Sequence, residues 1–472
     1  MKKLVVGVIL FCSIICMGSG IIYLDALHDY ENQPIPSYIT LDNTGENVIT
    51  DEVATLGRVL FYDKKMSLDN NTSCSTCHDQ SLAFSDSDQV SFGSFGITGR
   101  HSMRLVNSRF SAEERFFWDE RAATLEEQTT MPIQDIVEMG YSGTFGNPGI
   151  ESLLEKLEDI EYYNTLFEFA FGDETVTEER IQLALAQFIR SIQSFDSKFD
   201  EGRIVVDSNV TPFPNFTAQE NQGKNLFLRP IEFGNEGNRI GGGLGCASCH
   251  RGPEFSIIPN SRGNGVIFAA NGFEIEEGIT RSPTLRDMFN PTGELNGPLM
   301  HNGLFNDMTE VLAHYNDINA STGMSNPIID PRLKDGAFTQ KLNMTDQEVE
   351  SVIAFFKTLT GSDVYTNEKW SDPFDQDGQI EVLYLPTSVQ ETVETELIVS
   401  PNPAISEINI DNMDHLSHVE ILDLNGQVMT KIATHNISNA TVDISIYASG
   451  LYVIIGMDEA NRQVSSQKFV KL

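Results

Sequence analysis

Two copies of the pattern C-x-x-C-H constrain this chain more than any other feature. The first copy spans residues 74–78 (CSTCH) and the second spans residues 246–250 (CASCH). Two thiols about one helical turn apart can add across the vinyl groups of a heme, and the adjacent histidine can then reach the iron. All four cysteines that follow the first 20 residues lie in these motifs. The sequence therefore predicts two covalently bound c-type hemes, attached through Cys74, Cys77, Cys246 and Cys249.

Zinc sites and redox thiol pairs are the alternatives for these motifs. Zinc would require four ligands per site, and a thiol pair would not require both histidines. We therefore expect His78 and His250 to be the proximal iron ligands. The motifs begin 172 residues apart, 246 minus 74, so each heme is expected in its own domain. Electron transfer alone needs no more than two hemes, whereas catalysis also needs an open iron position and a nearby acid or base.

The formal net charge of −37 in 472 residues argues against nucleic acid as a partner. A phosphate backbone is bound by a basic surface that releases counterions. The acidic balance suits a soluble exported protein, and it could also steer a cationic electron donor. The length favours about three domains.

Residues 1–20 have the pattern of a signal peptide. Two lysines precede the apolar residues 4–17, and three small residues follow. The apolar run is short for a membrane span. Cys16 could be a lipidation site, although Ile15 before it is larger than such signals usually tolerate. The protein is therefore expected to be exported.

Helical and strand patterns divide the remaining chain. The apolar residues Ile181, Leu185, Phe188, Ile189 and Ile192 have helical spacing, and capping boxes begin at Thr217 and Thr345. Alternating apolar residues after Leu397 and the Asn425-Gly426 turn indicate short strands. We expect a mainly α protein with two cytochrome c-like helical heme domains, followed by a small all-β sandwich. The expected segments after the signal are 21–207 and 208–362 for the heme domains, 363–396 for a linker and 397–472 for the β-sandwich.

Several segments resemble the bacterial diheme cytochrome c peroxidase and MauG family. The resemblance extends from about residue 55 to residue 361, roughly two-thirds of the chain. It rests on residues 117–128 (FWDERAATLEEQ), 131–132 (MP), 137–140 (VEMG), 281–286 (RSPTLR) and 300–303 (MHNG).

The resemblance implies that the heme on His78 is the peroxidatic one and that Glu138 is the catalytic glutamate. Gln128 and Pro132 match its neighbours in the distal pocket. A carboxylate over the iron can move a proton between the two oxygens of peroxide. Without the flanking motif, Glu138 would be interpreted as a solvated loop residue. Trp118 matches a tryptophan between the hemes that can bridge electron transfer, although it could also fill a core.

The heme on His250 resembles the centre that receives electrons from a donor. Many family members have a methionine ligand 14 residues after the position of His301, and this chain has Tyr315, as MauG-like members do. Met308, Val311, Leu312 and Tyr315 share a helical face, so Tyr315 is expected to point inward. The alternatives are a core tyrosine with His314 outside, or ligation by His314 or a nearby methionine.

Two departures from the family pattern affect the first heme. Residues 79–100 contain no histidine, whereas many peroxidases have a loop histidine there that blocks the peroxidatic iron. We therefore expect this heme to be open, although His101 or Met103 could move into its place. His101 also occupies a position where family members often have an asparagine that supports an inter-heme calcium, so calcium is in doubt.

The carboxy-terminal residues resemble the sorting domain of the type IX secretion system. The resemblance rests on residues 397–404 (LIVSPNPA), 450–452 (GLY) and 468–472 (KFVKL). It implies that the protein engages the type IX secretion machinery and reaches the periplasm, the cell surface or the exterior. The alternative is an ordinary adhesive β-domain.

The resemblance implies a cytochrome-c peroxidase that reduces hydrogen peroxide to water with electrons from a small cytochrome c or cupredoxin. One alternative is a MauG-like diheme oxidase acting on a protein or organic substrate. The other is a diheme electron carrier without catalysis. The sequence is also compatible with a homodimer.

Overall fold

The structure, a computed structural model, describes residues 20–318, 329–384 and 397–472, apart from 415, 424–425, 435–436 and 459–462. The chain forms two compact units, Met1–Leu385 and Pro386–Leu472. The predicted signal peptide, apart from Gly20, lies outside the described residues, as does part of the predicted linker. Among the described helices, none is long and apolar enough to span a membrane.

The described helices of the first unit are short, and several of them are separated by long irregular segments. In chain order they are α1 (Asp51–Tyr62), α2 (Cys74–Cys77), α3 (Leu125–Thr130), α4 (Ile150–Glu158), α5 (Glu161–Phe171), α6 (Glu178–Ser191), α7 (Lys198–Arg203), α8 (Ala218–Leu228), α9 (Met308–Asn316) and α10 (Asp346–Lys357).

The strands of the first unit form two-stranded sheets. These strands are β1 (Ile21–Tyr23), β2 (Phe92–Gly93), β3 (Gly96–Ile97), β4 (Ile231–Phe233), β5 (Arg239–Gly242), β6 (His250–Arg251), β7 (Ser256–Ile257), β8 (Lys334–Asp335), β9 (Phe338–Thr339) and β10 (Glu381–Leu383). All of these pairs are antiparallel except β1 with β10, which is parallel.

The expectation of a mainly α protein is wrong. The chain is 28% helical and 19% strand. The apolar residues between the helices are buried by turns and hairpins instead: Phe84, Val106 and Phe110 are at most 1% exposed, and none lies in an α-helix. The helical patterns therefore account for less of the chain than expected.

Two hydrophobic cores organise the first unit, and each contains a closely packed helix pair. In the first core α1 packs on α6, and a Cβ on Gly57 would lie 2.0 Å from the Ala184 carbonyl oxygen. In the second core α8 packs on α10, and a Cβ on Gly223 would lie 1.8 Å from the Ser351 carbonyl oxygen. Since no side chain fits at either contact, glycine permits both helix crossings.

Residues 363–384, the described part of the expected linker 363–396, pack against the first core. Trp370 is 1% exposed, and its carbonyl accepts a 2.6 Å hydrogen bond from the Tyr62 hydroxyl. Arg58 Nε donates a 2.6 Å hydrogen bond to the Ser371 carbonyl. Strand β10 then pairs with β1. The end of the first unit is thus fastened to its beginning.

The second unit contains two antiparallel sheets around a core that includes Ile408, Ile410, Val419, Ile421 and Ile454. The three-stranded sheet has the order β11-β12-β15 and the four-stranded sheet has the order β14-β13-β16-β17. Asn425 of the predicted turn lies outside the described residues, whereas Gly426 has a φ of 78°, which suits a hairpin turn. The strands are β11 (Ile398–Ser400), β12 (Glu407–Asp411), β13 (His418–Leu422), β14 (Val428–Ala433), β15 (Asn439–Asp443), β16 (Gly450–Met457) and β17 (Gln463–Lys471).

Candidate heme sites

The first C-x-x-C-H motif forms a single helical turn, α2, which a capping box at Ser73 begins. Burial raises the pKa of the Cys74 thiol to about 12 and that of Cys77 to about 11. Two buried thiols one helical turn apart beside a histidine fit covalent attachment of a heme. Burial also lowers the pKa of His78, and the His78 Nδ1 lies 3.1 Å from the Phe84 carbonyl oxygen. This contact orients the ring of a neutral imidazole, as an iron ligand requires.

The second motif lies in a 3-10 turn, and its residues have similar properties. Burial raises the pKa of Cys246 to about 12 and lowers the pKa of His250 to about 4. The His250 Nδ1 is buried without a hydrogen-bond partner in the described part of the chain. A neutral buried imidazole beside two protonated thiols fits the attachment of a c-type heme.

A cavity extends from the second motif to α9. Its lining includes Cys246, Cys249, His250, Met300 and Tyr315. Thiol, imidazole, thioether and phenol groups in its lining make the cavity suitable for a heme held at residues 246–250. This heme would supply a redox-active iron.

Tyr315 and Met300 share one hydrogen-bond donor in this cavity. Asn264 Nδ2 lies 3.1 Å from the Tyr315 hydroxyl and 3.4 Å from the Met300 sulfur. His314 is 3% exposed rather than outside, and its Nε2 lies 2.9 Å from the Asn264 carbonyl oxygen. Asn264 therefore orients the candidate ligand side chains.

Glu138 lies near the first motif. Its negative charge contributes to raising the pKa values of Cys74 and Cys77. Burial raises the pKa of Glu138 itself to about 7, with a smaller contribution from Asp135 and an opposing one from Arg121. A half-buried carboxyl group that titrates near neutral pH can both accept and release a proton.

The backbone around Glu138 is fixed by three neighbouring segments. Ser94 N donates a 2.8 Å hydrogen bond to the Glu138 carbonyl, and Phe95 N donates one of 3.0 Å to the Val137 carbonyl. Leu68 N bonds to the Met139 carbonyl at 2.9 Å. Asp135 Oδ1 accepts from Glu138 N at 3.0 Å. The β2–β3 hairpin and the residues before the first motif thus hold the Glu138 loop.

Gln128 and Pro132 are half-buried close to this loop in sequence. Gln128 lies on α3, which Thr124 caps, and Pro132 follows the end of that helix. No side-chain hydrogen bond joins Gln128 to Glu138 among the described residues.

Trp118 contacts two histidines, His101 and His301, that lie between the two motifs and beyond the second motif in the sequence. Its indole Nε1 donates a 2.8 Å hydrogen bond to the His101 carbonyl. Its ring lies edge-on to the His301 ring, with centroids 6.3 Å apart. The positive charge that His101 can carry contributes to lowering the pKa of His78, while the wall of the cavity at the second motif includes Trp118. Trp118 is therefore a contact between the surroundings of the two motifs.

His101, one of the residues that could move toward the first iron, is held in place. It is 5% exposed, and its Nδ1 lies 3.0 Å from the Asp88 carbonyl oxygen. Its backbone N also donates a 2.8 Å hydrogen bond to the His301 carbonyl. Met103 is half-buried and lies in the cavity wall.

Sequence reasoning missed two groups that orient the candidate ligands. The Phe84 carbonyl is a backbone group and has no residue-type signal. Asn264 lies 51 residues before Tyr315, 315 minus 264, in a loop without a recognisable motif. Neither could be found without the fold.

Two family models match the chain. Residues 51–204 match the di-haem cytochrome c peroxidase family, and residues 399–471 match the secretion system C-terminal sorting domain. The first model implies two c-type hemes, and the second supports export of the protein.

The curated relatives include both MauG proteins and cytochrome c peroxidases. The methylamine utilization protein MauG of Methylophilus methylotrophus is 27% identical over 67% of this chain and 84% of its own length. The cytochrome c551 peroxidase of Nitrosomonas europaea is 26% identical over 74% of this chain and 90% of its own length. The fold is similar to that of a MauG-like protein associated with microbial copper homeostasis, with a TM-score of 0.56, 24% identity and coverage of 72% of this chain and 99% of the other. Residues 51–204 are therefore similar to the di-haem cytochrome c peroxidase family and residues 399–471 to secretion system C-terminal sorting domains, which supports export of the protein.

Proposed function

We propose that the protein is a cytochrome-c peroxidase that reduces hydrogen peroxide to water. The observation that carries this proposal is Glu138, a half-buried carboxyl group with a pKa of about 7 beside the first motif. A diheme electron carrier has no need for such a group. A heme held by Cys74, Cys77 and His78 would supply the iron and the electrons for cleavage of the peroxide bond.

Glu138 would transfer the proton on which this cleavage depends. The unprotonated carboxylate accepts a proton from one peroxide oxygen and delivers it to the other, which leaves as water. A pKa near the working pH allows both steps, because neither form of the carboxyl group is strongly favoured. Gln128 and Pro132 would shape the pocket around the peroxide.

The second motif would receive electrons from a small cytochrome c or cupredoxin. His250 and Tyr315 would hold the iron there, and the hydrogen bond from Asn264 supports the position of the phenol. Trp118 would carry electrons between the hemes, because its ring and its indole N–H contact residues near both motifs. The two hydrophobic cores support two heme domains near the proposed segments 21–207 and 208–362, although Phe199 packs in the second core and Trp370 packs in the first.

A MauG-like oxidase is the second candidate function. Tyr315 favours it, because a phenolate ligand stabilises ferric iron and disfavours rapid donation by a high-potential donor. Its substrate would be a protein or organic molecule that is oxidised at the expense of peroxide. The sorting domain is proposed to engage the type IX secretion machinery in either case.

Steady-state consumption of hydrogen peroxide by the diheme protein tests these candidates. A panel of reduced donors should include a small cytochrome c and a cupredoxin, and protein without peroxide serves as the control. A peroxidase consumes one peroxide for every two donor electrons. The oxidase would instead be supported if peroxide is consumed with an oxidisable organic substrate and neither redox-protein donor supports peroxide consumption. An absence of consumption under both conditions would reject catalysis.

A further inference from the structure

Two tyrosines next to the first motif donate hydrogen bonds to the same carboxylate oxygen. The Tyr162 hydroxyl lies 2.6 Å from Asp63 Oδ2 and the Tyr163 hydroxyl lies 2.9 Å from it. Asp63 is 4% exposed and Tyr163 is fully buried. Asp63 follows α1, and both tyrosines lie on α5, so this arrangement depends on the packing of two helices.

The two phenol rings extend from the first motif toward the surface. Tyr163 belongs to the core against which Cys74 packs, and Cys74 contributes to raising the pKa of Tyr163 above its ordinary value, after burial and Asp63. The ring centroids of Tyr163 and Tyr162 are 4.7 Å apart. Tyr162 is half-buried, and its hydroxyl accepts a 3.0 Å hydrogen bond from Lys65 Nζ.

This geometry suits oxidation coupled to proton transfer. A phenol that loses an electron becomes strongly acidic, so oxidation proceeds readily where a base already accepts its hydrogen bond. Asp63 Oδ2 provides that base for both rings, and Asp63 Oδ1 is held by a 2.8 Å hydrogen bond from Lys65 N. After Tyr162 loses its proton, the Lys65 hydrogen bond would still stabilise the phenoxyl oxygen.

We propose that Tyr163, Tyr162 and Asp63 form a redox relay through which small phenols or hydroquinones reduce the first heme centre after it has reacted with peroxide. The inference rests on the proposed reaction with peroxide. Its substrates are one-electron reductants at the surface, distinct from the redox-protein donor proposed for the second motif.

The relay balances electrons and protons in three steps. Tyr163 first gives an electron to the oxidised first centre, and its O–H bond breaks as the proton passes to Asp63. Tyr162 then gives an electron to Tyr163, while Asp63 returns its proton to Tyr163 and receives the proton of Tyr162. Finally, hydroquinone gives an electron to Tyr162, Asp63 returns the proton to Tyr162, and the proton of the oxidised donor enters water. Two such cycles match the two electrons that one hydrogen peroxide accepts.

The test uses the diheme protein and the variants Tyr162→Phe and Tyr163→Phe, which retain the rings and remove the hydroxyls. Hydroquinone oxidation with peroxide should fall about tenfold or more in each variant, a change of about 1.4 kcal/mol or more in the barrier. Peroxide consumption with a reduced small cytochrome should stay near that of the wild type. The matched control is Tyr38→Phe, since Tyr38 donates a 2.8 Å hydrogen bond to Asp200, a carboxylate that Arg286 already pairs.

Freeze-quench electron paramagnetic resonance after peroxide should show a tyrosyl radical in the wild type and in Tyr38→Phe. The signal should be lost in Tyr163→Phe and altered in Tyr162→Phe. Normal peroxide consumption without a tyrosyl radical, or with unchanged hydroquinone oxidation in both variants, would overturn the relay and leave the peroxidase proposal intact.

A second measurement does not depend on the reaction with peroxide. Flash oxidation with photogenerated ruthenium(III) tris-bipyridine should produce a tyrosyl radical in the wild type, and the yield should fall in the Tyr162→Phe variant but not in Tyr38→Phe. Equal yields in all three proteins would reject Tyr162 as the surface end of the relay. Loss of the peroxide reaction with a normal flash result would reject only the proposed peroxidase.

Discussion

The backbone amide of Ser94 donates a 2.8 Å hydrogen bond to the carbonyl of Glu138. The Ser94 hydroxyl oxygen also lies 2.6 Å from Asp69 Oδ1 and 2.8 Å from the Thr72 hydroxyl oxygen, just before the first motif. One residue therefore connects the β2–β3 hairpin, the Glu138 loop and the segment that leads into Cys74. We expect the position of the Glu138 carboxyl group to depend on this hairpin.

Substitution of Gly93 by alanine should disturb the Glu138 loop. A Cβ at Gly93 would lie 2.3 Å from the Val137 carbonyl oxygen and 2.7 Å from the Glu138 Cα. The overlap should destabilise the protein by about 1–3 kcal/mol and lower peroxide turnover while both hemes stay bound. The matched control is Gly99→Ala, because a Cβ there meets no atom within 4 Å. Equal activity of the two variants, measured with the heme content, would show that the hairpin does not position Glu138.

Replacement of Glu138 by glutamine should leave both hemes bound and lower peroxide turnover by about two to four orders of magnitude. Glutamine retains the shape of the side chain but cannot transfer the proton. Glu155→Gln is the control, because Glu155 is an exposed carboxylate on α4. Steady-state peroxide consumption measures the effect, and wild-type turnover in Glu138→Gln would remove this residue from the mechanism.

The pKa of Glu138 predicts the sign of the pH dependence. Because burial raises this pKa to about 7, the carboxyl group is increasingly protonated below that pH and can no longer accept the proton of peroxide. Turnover should rise as the pH increases through about 7, and the inflection should be absent from Glu138→Gln. A profile that falls over this range would contradict a basic role for Glu138.

The raised pKa of Glu138 should also make the folding stability of the protein decrease as the pH rises, whereas turnover increases. The folded protein retains the Glu138 proton at pH values where the unfolded chain has released it. The stabilisation from this group is complete below its ordinary pKa of 4.5 and is lost as the pH rises through about 7. Chemical denaturation at several pH values should therefore show that Glu138→Gln gains stability relative to the wild type as the pH increases.

Tyr315→Phe should change the low-spin optical spectrum of the second heme and raise its reduction potential, since an anionic phenolate favours ferric iron. Met300→Leu is the companion variant, because the Met300 sulfur lies near the same Asn264 amide. Optical spectra and redox titrations of both variants decide between the two side chains. A change confined to Met300→Leu would transfer the ligand role from Tyr315 to Met300.

The first heme should be open and high-spin in the fully ferric protein. Residues 79–100 contain no histidine, and His101 is buried with its Nδ1 at 3.0 Å from the Asp88 carbonyl oxygen. Cyanide should therefore bind promptly without prior reduction. Its binding is measured by the shift of the Soret band, and an entirely low-spin ferric spectrum with no cyanide binding would show that another residue occupies the sixth position.

Local sequence patterns predicted individual elements better than they predicted the fold class. The capping boxes at Thr217 and Thr345 are confirmed, because each cap depends on residues three positions apart. The helix expected around residues 181–192 is α6, Glu178–Ser191. The mainly α expectation is wrong because residues such as Phe84 and Val106 are buried by irregular segments, and period-based reasoning detects only regular ones.

The candidate sites could be predicted where the chemistry lies in consecutive residues. Both heme motifs are local, and the resemblance that singled out Glu138 depends on short segments. The Asn264 contact with Tyr315 and the shared use of Asp63 by Tyr162 and Tyr163 depend on side chains that only the fold brings together. Such pairs leave no periodic or spacing pattern in the sequence.

The pairing of β1 with β10 has a consequence for processing of the exported protein. This parallel pair and the buried Trp370 are the last packed features of the first unit in the described residues. The last paired residue is Leu383. A protease that cuts between residues 385 and 396 would therefore remove no described strand or core side chain of the first unit. We expect the cleaved product to keep the melting temperature of the intact protein at the first unit's transition, whereas truncation before residue 370 would lower it.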